Sequence, residues 1–225
     1  MYNTHEGYAK EVLFVVVPFI TVEGPIGVGK SSLSKAISNT FKYSLLKEIV
    51  EENPFLGKFY ENIEEWSFQT EMFFLCNRYK QLTDIKHHIL EEGSPVVADY
   101  HIFKNLIFAK RTLKPLEYAK YEAIYKILTA DMPRPNMVIY LHASLDTLMN
   151  RIAMRGREFE KMITRDYMEQ LSVDYHEFIQ HFTKMHSDIP VIQLNGDDID
   201  FVKNPDDLQK VLKLVEEKLQ QRSSN

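Results

Sequence analysis

Short apolar runs recur along the chain, and each is followed by a longer stretch with helical spacing. Residues 19–23, 44–50, 95–99, 137–141 and 191–194 are rich in Val, Ile, Leu and Phe, and this predicts strands. Apolar positions three and four apart predict helices over 30–41, 66 to about 90, 116–129, 145–155, 163–182 and 205–220. Strands alternating with helices predict an α/β fold whose parallel sheet is covered on both faces. Such sheets bind ligands beyond the carboxyl ends of their strands. The apolar stretch 13–22 has the look of a signal-peptide core. However, Glu6 and Glu11 precede it in place of a basic cluster, no small-residue cleavage site follows, and it is too short to span a bilayer. It is read as a buried first strand after an extension, 1–17, with 18–225 a single domain.

The composition narrows the class. The chain has 225 residues, 44% hydrophobic and 26% charged, as expected of a soluble globular protein. Its 27 Lys and Arg against 32 Asp and Glu give a net charge of -5, which disfavours a nucleic-acid-coating role. Cys76 is the sole cysteine, so no internal disulfide framework exists and a reducing cytoplasm is the expected compartment. Cys76 lies among apolar residues and is read as a small core residue, and His87 and His88 as a solvated helix face. Met72, Phe73 and Phe74 suit either core or a subunit interface.

The strongest chemical signal is Gly24, Pro25, Ile26, Gly27, Val28, Gly29, Lys30 and Ser31, which match G-x-x-x-x-G-K-[ST] between a predicted strand and a predicted helix. Glycines let the backbone curl so that its N–H groups converge on an anion, and the helix N-terminus adds a positive dipole. The loop, with Ser32 following it, is expected to hold ATP. Lys30 is assigned to the β- and γ-phosphates and the Ser31 hydroxyl to Mg²⁺. A guanine-nucleotide switch needs N-K-x-D and D-x-x-G strings, and neither occurs. A nucleic-acid-driven motor lacks both length and basic surface. A small-molecule kinase remains, with a non-catalytic nucleotide-binding module as the alternative.

Glu48 and Asp99 fall near the ends of the second and third predicted strands, at the sheet edge that carries Lys30. Phosphorylating a hydroxyl needs a carboxylate beside it, and a second carboxylate commonly holds the metal. Arg151, Arg155 and Arg157 flank Gly156, and the first two share a helix face. They are read as a lid over the transferring phosphoryl group, a solvated helix end being the plainer alternative.

These residues resemble the deoxyribonucleoside kinase family, over about residues 19–214, and within it the bacterial deoxyguanosine kinase branch. The likeness rests on the phosphate loop and on Glu48-Ile49-Val50 followed by Asn53-Pro54. It rests also on Tyr60 before Trp66-Ser67-Phe68, on Arg78, Asp99 and Ile107-Phe108-Ala109, and on the stretch from Arg151 to Glu160. The resemblance implies a P-loop kinase fold, a five-stranded parallel sheet with an Arg-rich lid at about 151–165, Mg²⁺ bound with ATP, and a homodimer. It implies Glu48 as general base for a 5′-hydroxyl, Tyr60 and Glu160 as holders of a 3′-hydroxyl, Arg78 near the base and the 5′ end, and Asp99 by the metal. The family's acidic-Arg-Ser motif here reads Asp99-Tyr100-His101, so that arginine's work must fall to Arg78, Lys104 or the lid. Asn105 stands where an acidic residue near the base often occurs.

Glu71 stands where many relatives carry glutamine. It lies seven residues, two helical turns, before Arg78 and so on the same helix face. An ionised carboxylate only accepts, which suits the N1–H and N2 amino donors of guanine, while Arg78 can donate to O6 or N7. The alternative is that Glu71 and Arg78 merely pair with each other. Phe68, Phe103 and Phe108 are candidates for stacking on the base. The expected reaction is transfer of the γ-phosphate of ATP to the 5′-hydroxyl of deoxyguanosine, with a deoxyadenosine or broad purine kinase as the alternative.

Overall fold

The computed structural model describes residues 17–223, so apart from Val17 the expected N-terminal extension lies outside the described residues. Strand β1 (Phe19–Glu23) is buried at every position, as a strand covered on both faces must be. It pairs in parallel with β3 (Val96–Ala98) on one side and β4 (Met137–His142) on the other. Strands β2 (Ser44–Leu46) and β5 (Val191–Asn195) complete an all-parallel sheet of order β2-β3-β1-β4-β5. The chain turns from β1 toward β2 on one side and later crosses to β4 on the other. The carboxyl end of β1 is therefore the switch point at which such sheets open a crevice.

Helix α1 (Lys30–Phe41) leaves β1 through the glycine loop and buries Leu33, Ser34 and Ile37. One core lies between the sheet, α1, α6 (Leu145–Arg155) and α7 (Arg165–Met185), with α8 (Pro205–Ser223) supplying Val211 and Val215. A second core, around Leu75, Leu82, Tyr100 and Tyr121, joins the sheet to α3 (Ile63–Ile85) and α5 (Pro115–Thr129). A third, smaller cluster joins Leu56 and Phe59 of α2 (Leu56–Glu61) to Phe74 of α3. Met72 packs against the second core and Phe73 against the third, both half-buried, while Phe74 is buried. No helix among the described residues is long and apolar enough to cross a membrane.

The strand-and-helix pattern places all five strands, with revised boundaries. β2 stops at Leu46, and residues 47–50 leave the sheet toward the crevice. Helix α3 begins at Ile63, where Asn62 accepts a hydrogen bond from the Glu65 N–H, and it ends in a π-helical turn, Lys86–Leu90. Helices α2 and α4 (Lys104–Thr112) were not expected. α2 has only six residues, and α4 buries the polar residues Lys104 and Asn105 along with Ile107 and Ala109, which blurs its amphipathic pattern. Cys76 is exposed, one step around α3 from the buried Leu75, and is not a core residue.

Gly24 adopts φ 146°, and a Cβ there would collide with the carbonyl oxygen of Leu141 on β4. Gly24→Ala is expected to cost about 2 kcal/mol or more through backbone strain and that clash. A thermal unfolding midpoint lowered by several degrees checks it. An unchanged midpoint would mean that this turn accommodates a side chain.

Candidate active site

Beyond the carboxyl ends of the strands lies a cleft of about 430 Å³, lined by the glycine loop, Glu48, residues of α2 and α3, the segment around Arg155, and residues 199–203. Gly29 caps α1 in the left-handed region at φ 108°. Phe201 lies so close that a Cβ on Gly29 would sit 3.1 Å from its ring. Lys30 Nζ donates to the carbonyls of Gly24 (2.7 Å) and Pro25 (2.9 Å). Burial, and then the neighbouring Lys104, push the Lys30 amine down to about 8. Gly24 and Pro25 thus serve Lys30 through their backbone and do not line the cleft, which Ile26, Gly27, Val28, Gly29, Ser31 and Ser32 do.

At the sheet edge Asp99 joins two segments. Its Oδ2 accepts from Ser31 Oγ at 2.6 Å and its Oδ1 from the Glu48 N–H at 2.7 Å. A hydroxyl and a carboxylate so placed form a hard oxygen pair suited to Mg²⁺, which typically takes one or two protein oxygens and completes its shell with phosphates and water. No cluster of three or more His, Cys, Asp or Glu that could hold a metal occurs among the described residues.

Glu48 is the electrostatic centre. It lies beyond β2, held by Lys104 Nζ at 2.9 Å from each carboxylate oxygen and by Arg78 Nη2 on Oε1. Burial opposes its ionisation, but Lys104, Arg78 and Lys30 outweigh that cost and hold its carboxyl down to about 2. Arg78 stacks 4.6 Å over Phe74, and its Nη1 donates to Asn105 Oδ1 at 2.7 Å. Asn105 in turn donates to Tyr121 OH at 2.7 Å. Asn105 is fully buried behind Arg78 and is not in the cleft wall, so its expected contact with substrate is not made there; it anchors Arg78.

Glu71 behaves oppositely. It is 2% exposed and lies in the wall of the cleft on α3; its Oε2 is buried without a hydrogen-bond partner, as is the adjacent Thr70 hydroxyl. Burial outweighs the pull of Arg78 and Lys104 and raises its carboxyl to about 8. The pairing of Glu71 with Arg78, considered from sequence, is not formed, because the terminal nitrogens of Arg78 are engaged by Glu48 and Asn105.

The arginine segment divides. Arg155 donates to Glu160 through Nε at 2.9 Å and through Nη2, while Arg157 lies 3.7 Å from the same carboxylate. Arg151 binds the carbonyls of Val28 (3.1 Å) and Gly196 (2.9 Å) and so ties α6 to the glycine loop. Gly156, at φ 67°, ends α6, and a 3-10 turn, Glu158–Met162, carries Glu160 back to the cleft. Tyr60 faces it from α2; burial, then Glu160 and Glu71, raise its phenol well above the ordinary range, so the hydroxyl is a donor.

Sequence reasoning missed Glu23, Thr70, Phe74 and residues 199–203, and weighed Lys104 only as one of three substitutes. Glu23 is fully buried at the end of β1. It accepts the Gly24 N–H at 3.2 Å and the His101 N–H, locking the glycine loop to the turn after β3. A carboxylate directly before the first motif glycine was the available signal. Of the candidate stacking rings only Phe108 lines the cleft; Phe68 and Phe103 pack in the two main cores.

A family model described as deoxynucleoside kinase matches residues 20–220. The chain is 52% identical over 200 residues to a deoxyguanosine kinase of Bacillus subtilis, covering 89% of this chain and 97% of that one. It is 33% identical to a deoxyadenosine/deoxycytidine kinase of the same organism, over 86% of this chain and 89% of that one. Among solved structures, deoxyadenosine kinase from M. mycoides with bound dATP superposes with a TM-score of 0.75 at 26% identity, over 88% of this chain and 99% of that one.

Glu71 makes a prediction about the free protein. A carboxyl raised from 4.5 to about 8 on folding binds its proton more tightly in the native state. Its contribution is fully present below about pH 4.5 and is lost as pH rises through about 8. Glu71→Gln is therefore expected to gain stability relative to wild type across that window, by on the order of a few kcal/mol. Denaturant unfolding at pH 5 and pH 9 checks it; an equal difference at both would remove Glu71 as a buried neutral acid.

Proposed function

The chain belongs to the deoxynucleoside kinase family, and from that footing we propose that it transfers the γ-phosphoryl group of ATP to the 5′-hydroxyl of deoxyguanosine, giving dGMP. The observation that carries the guanine choice is Glu71, a carboxyl with a buried, unpartnered oxygen, in the wall of the cleft that also holds Lys30 and Glu48. The Bacillus subtilis relative, itself a deoxyguanosine kinase, supports it. A cytoplasmic, homodimeric protein belongs to the same proposal.

In this reading Glu48 orients the 5′-hydroxyl and takes its proton. The 5′ oxygen forms a bond to the γ-phosphorus as the bond from that phosphorus to ADP breaks. A carboxyl held at about 2 is a weak base. It suits a loose transition state in which the hydroxyl proton leaves late and positioning supplies most of the acceleration. Lys30 and the loop N–H groups bind the β- and γ-phosphates, and Arg155 and Arg157 neutralise charge on the transferring group. Ser31 and Asp99 would hold Mg²⁺, which neutralises phosphate charge when bound. Tyr60 and Glu160 take the 3′-hydroxyl. Arg78 holds Glu48 and Asn105 through its terminal nitrogens, so base reading is assigned chiefly to Glu71.

Glu71 also supports a second reading. A carboxyl at about 8 is mostly neutral at pH 7, and a neutral carboxyl offers one donor and one acceptor, which match adenine N1 and its amino group. The ionised form accepts both donors of guanine. The protein is thus a deoxyguanosine kinase when Glu71 is ionised and tolerates deoxyadenosine when it is neutral. Deoxyguanosine binding at pH 7 then releases a proton.

Two measurements test the proposal. The ratio of kcat/KM for deoxyguanosine over deoxyadenosine is expected to climb about tenfold per pH unit around 8, because the ratio of ionised to neutral carboxyl does so. In Glu71→Gln the ratio should be flat and should favour deoxyadenosine. A flat ratio in the wild type would sink the role of Glu71. Glu48→Gln should lower kcat about 10²-fold or more with nucleoside affinity little changed; turnover near wild type would remove it as the base.

A further inference from the structure

Glu48 is gripped unevenly. Arg78 reaches Oε1 alone and is fixed from behind by Asn105 and Tyr121. Lys104, the first residue of α4, bridges both oxygens at 2.9 Å each, and its side chain is 6% exposed. Its ammonium lies 5.6 Å from the centre of the Phe108 ring. The two residues after Asp99 bring no charge to this point. Tyr100 is buried and donates to Gln81 at 2.8 Å, and the His101 ring packs between Phe19 and Phe103. Lys104 is the next cation along that segment.

We propose that Lys104 is the positioning residue of Glu48, fixing the plane of its carboxylate by holding both oxygens while Arg78 fixes its place. With one oxygen gripped, the group can turn about its terminal bond and the oxygen that meets the acceptor hydroxyl is no longer defined. A bridging ammonium removes that freedom. Alignment of reacting groups is where a large share of rate enhancement arises, so the loss should fall on turnover and not on binding. Glu48 keeps Arg78 when Lys104 is replaced, so no unpaired buried charge is left behind. This role rests on the reading of Glu48 as the group that orients the hydroxyl.

The test is a double-mutant cycle on the full chain. Wild type, Lys104→Met, Lys104→Arg, Glu48→Gln and the double variant Lys104→Met/Glu48→Gln are assayed with Mg-ATP and whichever deoxynucleoside the wild type turns over best. Lys104→Met should lower kcat about 10- to 100-fold with both KM values within about threefold. Lys104→Arg, which restores a cation, should recover most of it. In the Glu48→Gln background the Lys104→Met change should have almost no further effect, because the two residues act as one unit. Wild-type kcat in Lys104→Met, a loss confined to KM, or an undiminished loss in the Glu48→Gln background would each overturn the proposal. Should Lys104→Met not fold, Lys104→Gln stands in for it and is judged in the same way. An inactive wild type would instead bring down the phosphotransfer reading and this role with it. An active wild type with an indifferent Glu48→Gln would remove Glu48 and, with it, what Lys104 is said to position.

Discussion

Several charges are buried together in one cleft, and none can be there alone. Taking a carboxylate or an ammonium out of water costs several kcal/mol unless a partner of opposite sign lies close. Glu48 has Lys104 and Arg78 in direct contact, and its carboxyl is held at about 2. Glu71 lines the same cleft, has no such contact at Oε2, and rises to about 8. Two glutamates of one cleft are thus shifted in opposite directions, and direct contact with cations is what separates them. That separation divides the labour of the site. An acid held ionised suits the reacting end, and an acid balanced between its two forms suits the end that must tell one hydrogen-bond pattern from another.

The fold supplies these distances. The carboxyl ends of β1, β2 and β3 bring Glu23, the segment leading to Glu48, and Asp99 to one edge, and backbone hydrogen bonds tie them together. Glu23 accepts from the N–H groups of Gly24 and His101, and Asp99 accepts from that of Glu48. Glu48 therefore rests on turns that the sheet fixes, although it lies outside any strand. On the other side, α3 turns Leu75 and Leu82 into one core and Glu71, Phe74 and Arg78 into the cleft. Its solvent side carries Glu65, Gln69, Lys80 and Asp84, and its polar pattern is blurred because Ser67, Thr70, Glu71 and Arg78 are buried.

What was legible in the sequence was local. The glycine loop declares itself through spacing and context. The strands declare themselves through unbroken apolar runs, and with them the sheet edge where Glu48 and Asp99 meet. What was illegible depended on partners far away in sequence. Helix α4 turns Lys104 and Asn105 inward because their partners, Glu48 and Arg78, come from other elements. A reading based on amphipathic periodicity takes such residues as solvent-facing and loses the helix. Asn105 was placed against the substrate on resemblance and stands instead behind Arg78, since only the three-dimensional packing shows which of two polar neighbours faces the cleft. Arg151 lines the cleft with Arg155 and Arg157, and its contacts with the carbonyls of Val28 and Gly196, both remote in sequence, tie it to the loop.

One helix carries both the residue proposed to read the base and a residue that holds the reacting carboxylate. Glu71 and Arg78 are seven residues apart on α3, and at about 1.5 Å per residue that is about 10 Å of rigid rise. This is comparable with the length of a nucleoside from base edge to 5′-hydroxyl. The helix is in effect a fixed rule between the two ends of the acceptor. In the proposed reaction a base that satisfied Glu71 at one mark would bring its hydroxyl to Glu48 at the other, and one that left the carboxyl unpaired would be both bound weakly and set out of register. Arg78 is locked by Asn105 and Tyr121 independently of Glu71. On the proposed reading, changes at position 71 would therefore alter the choice of purine while the phosphotransfer end keeps its geometry.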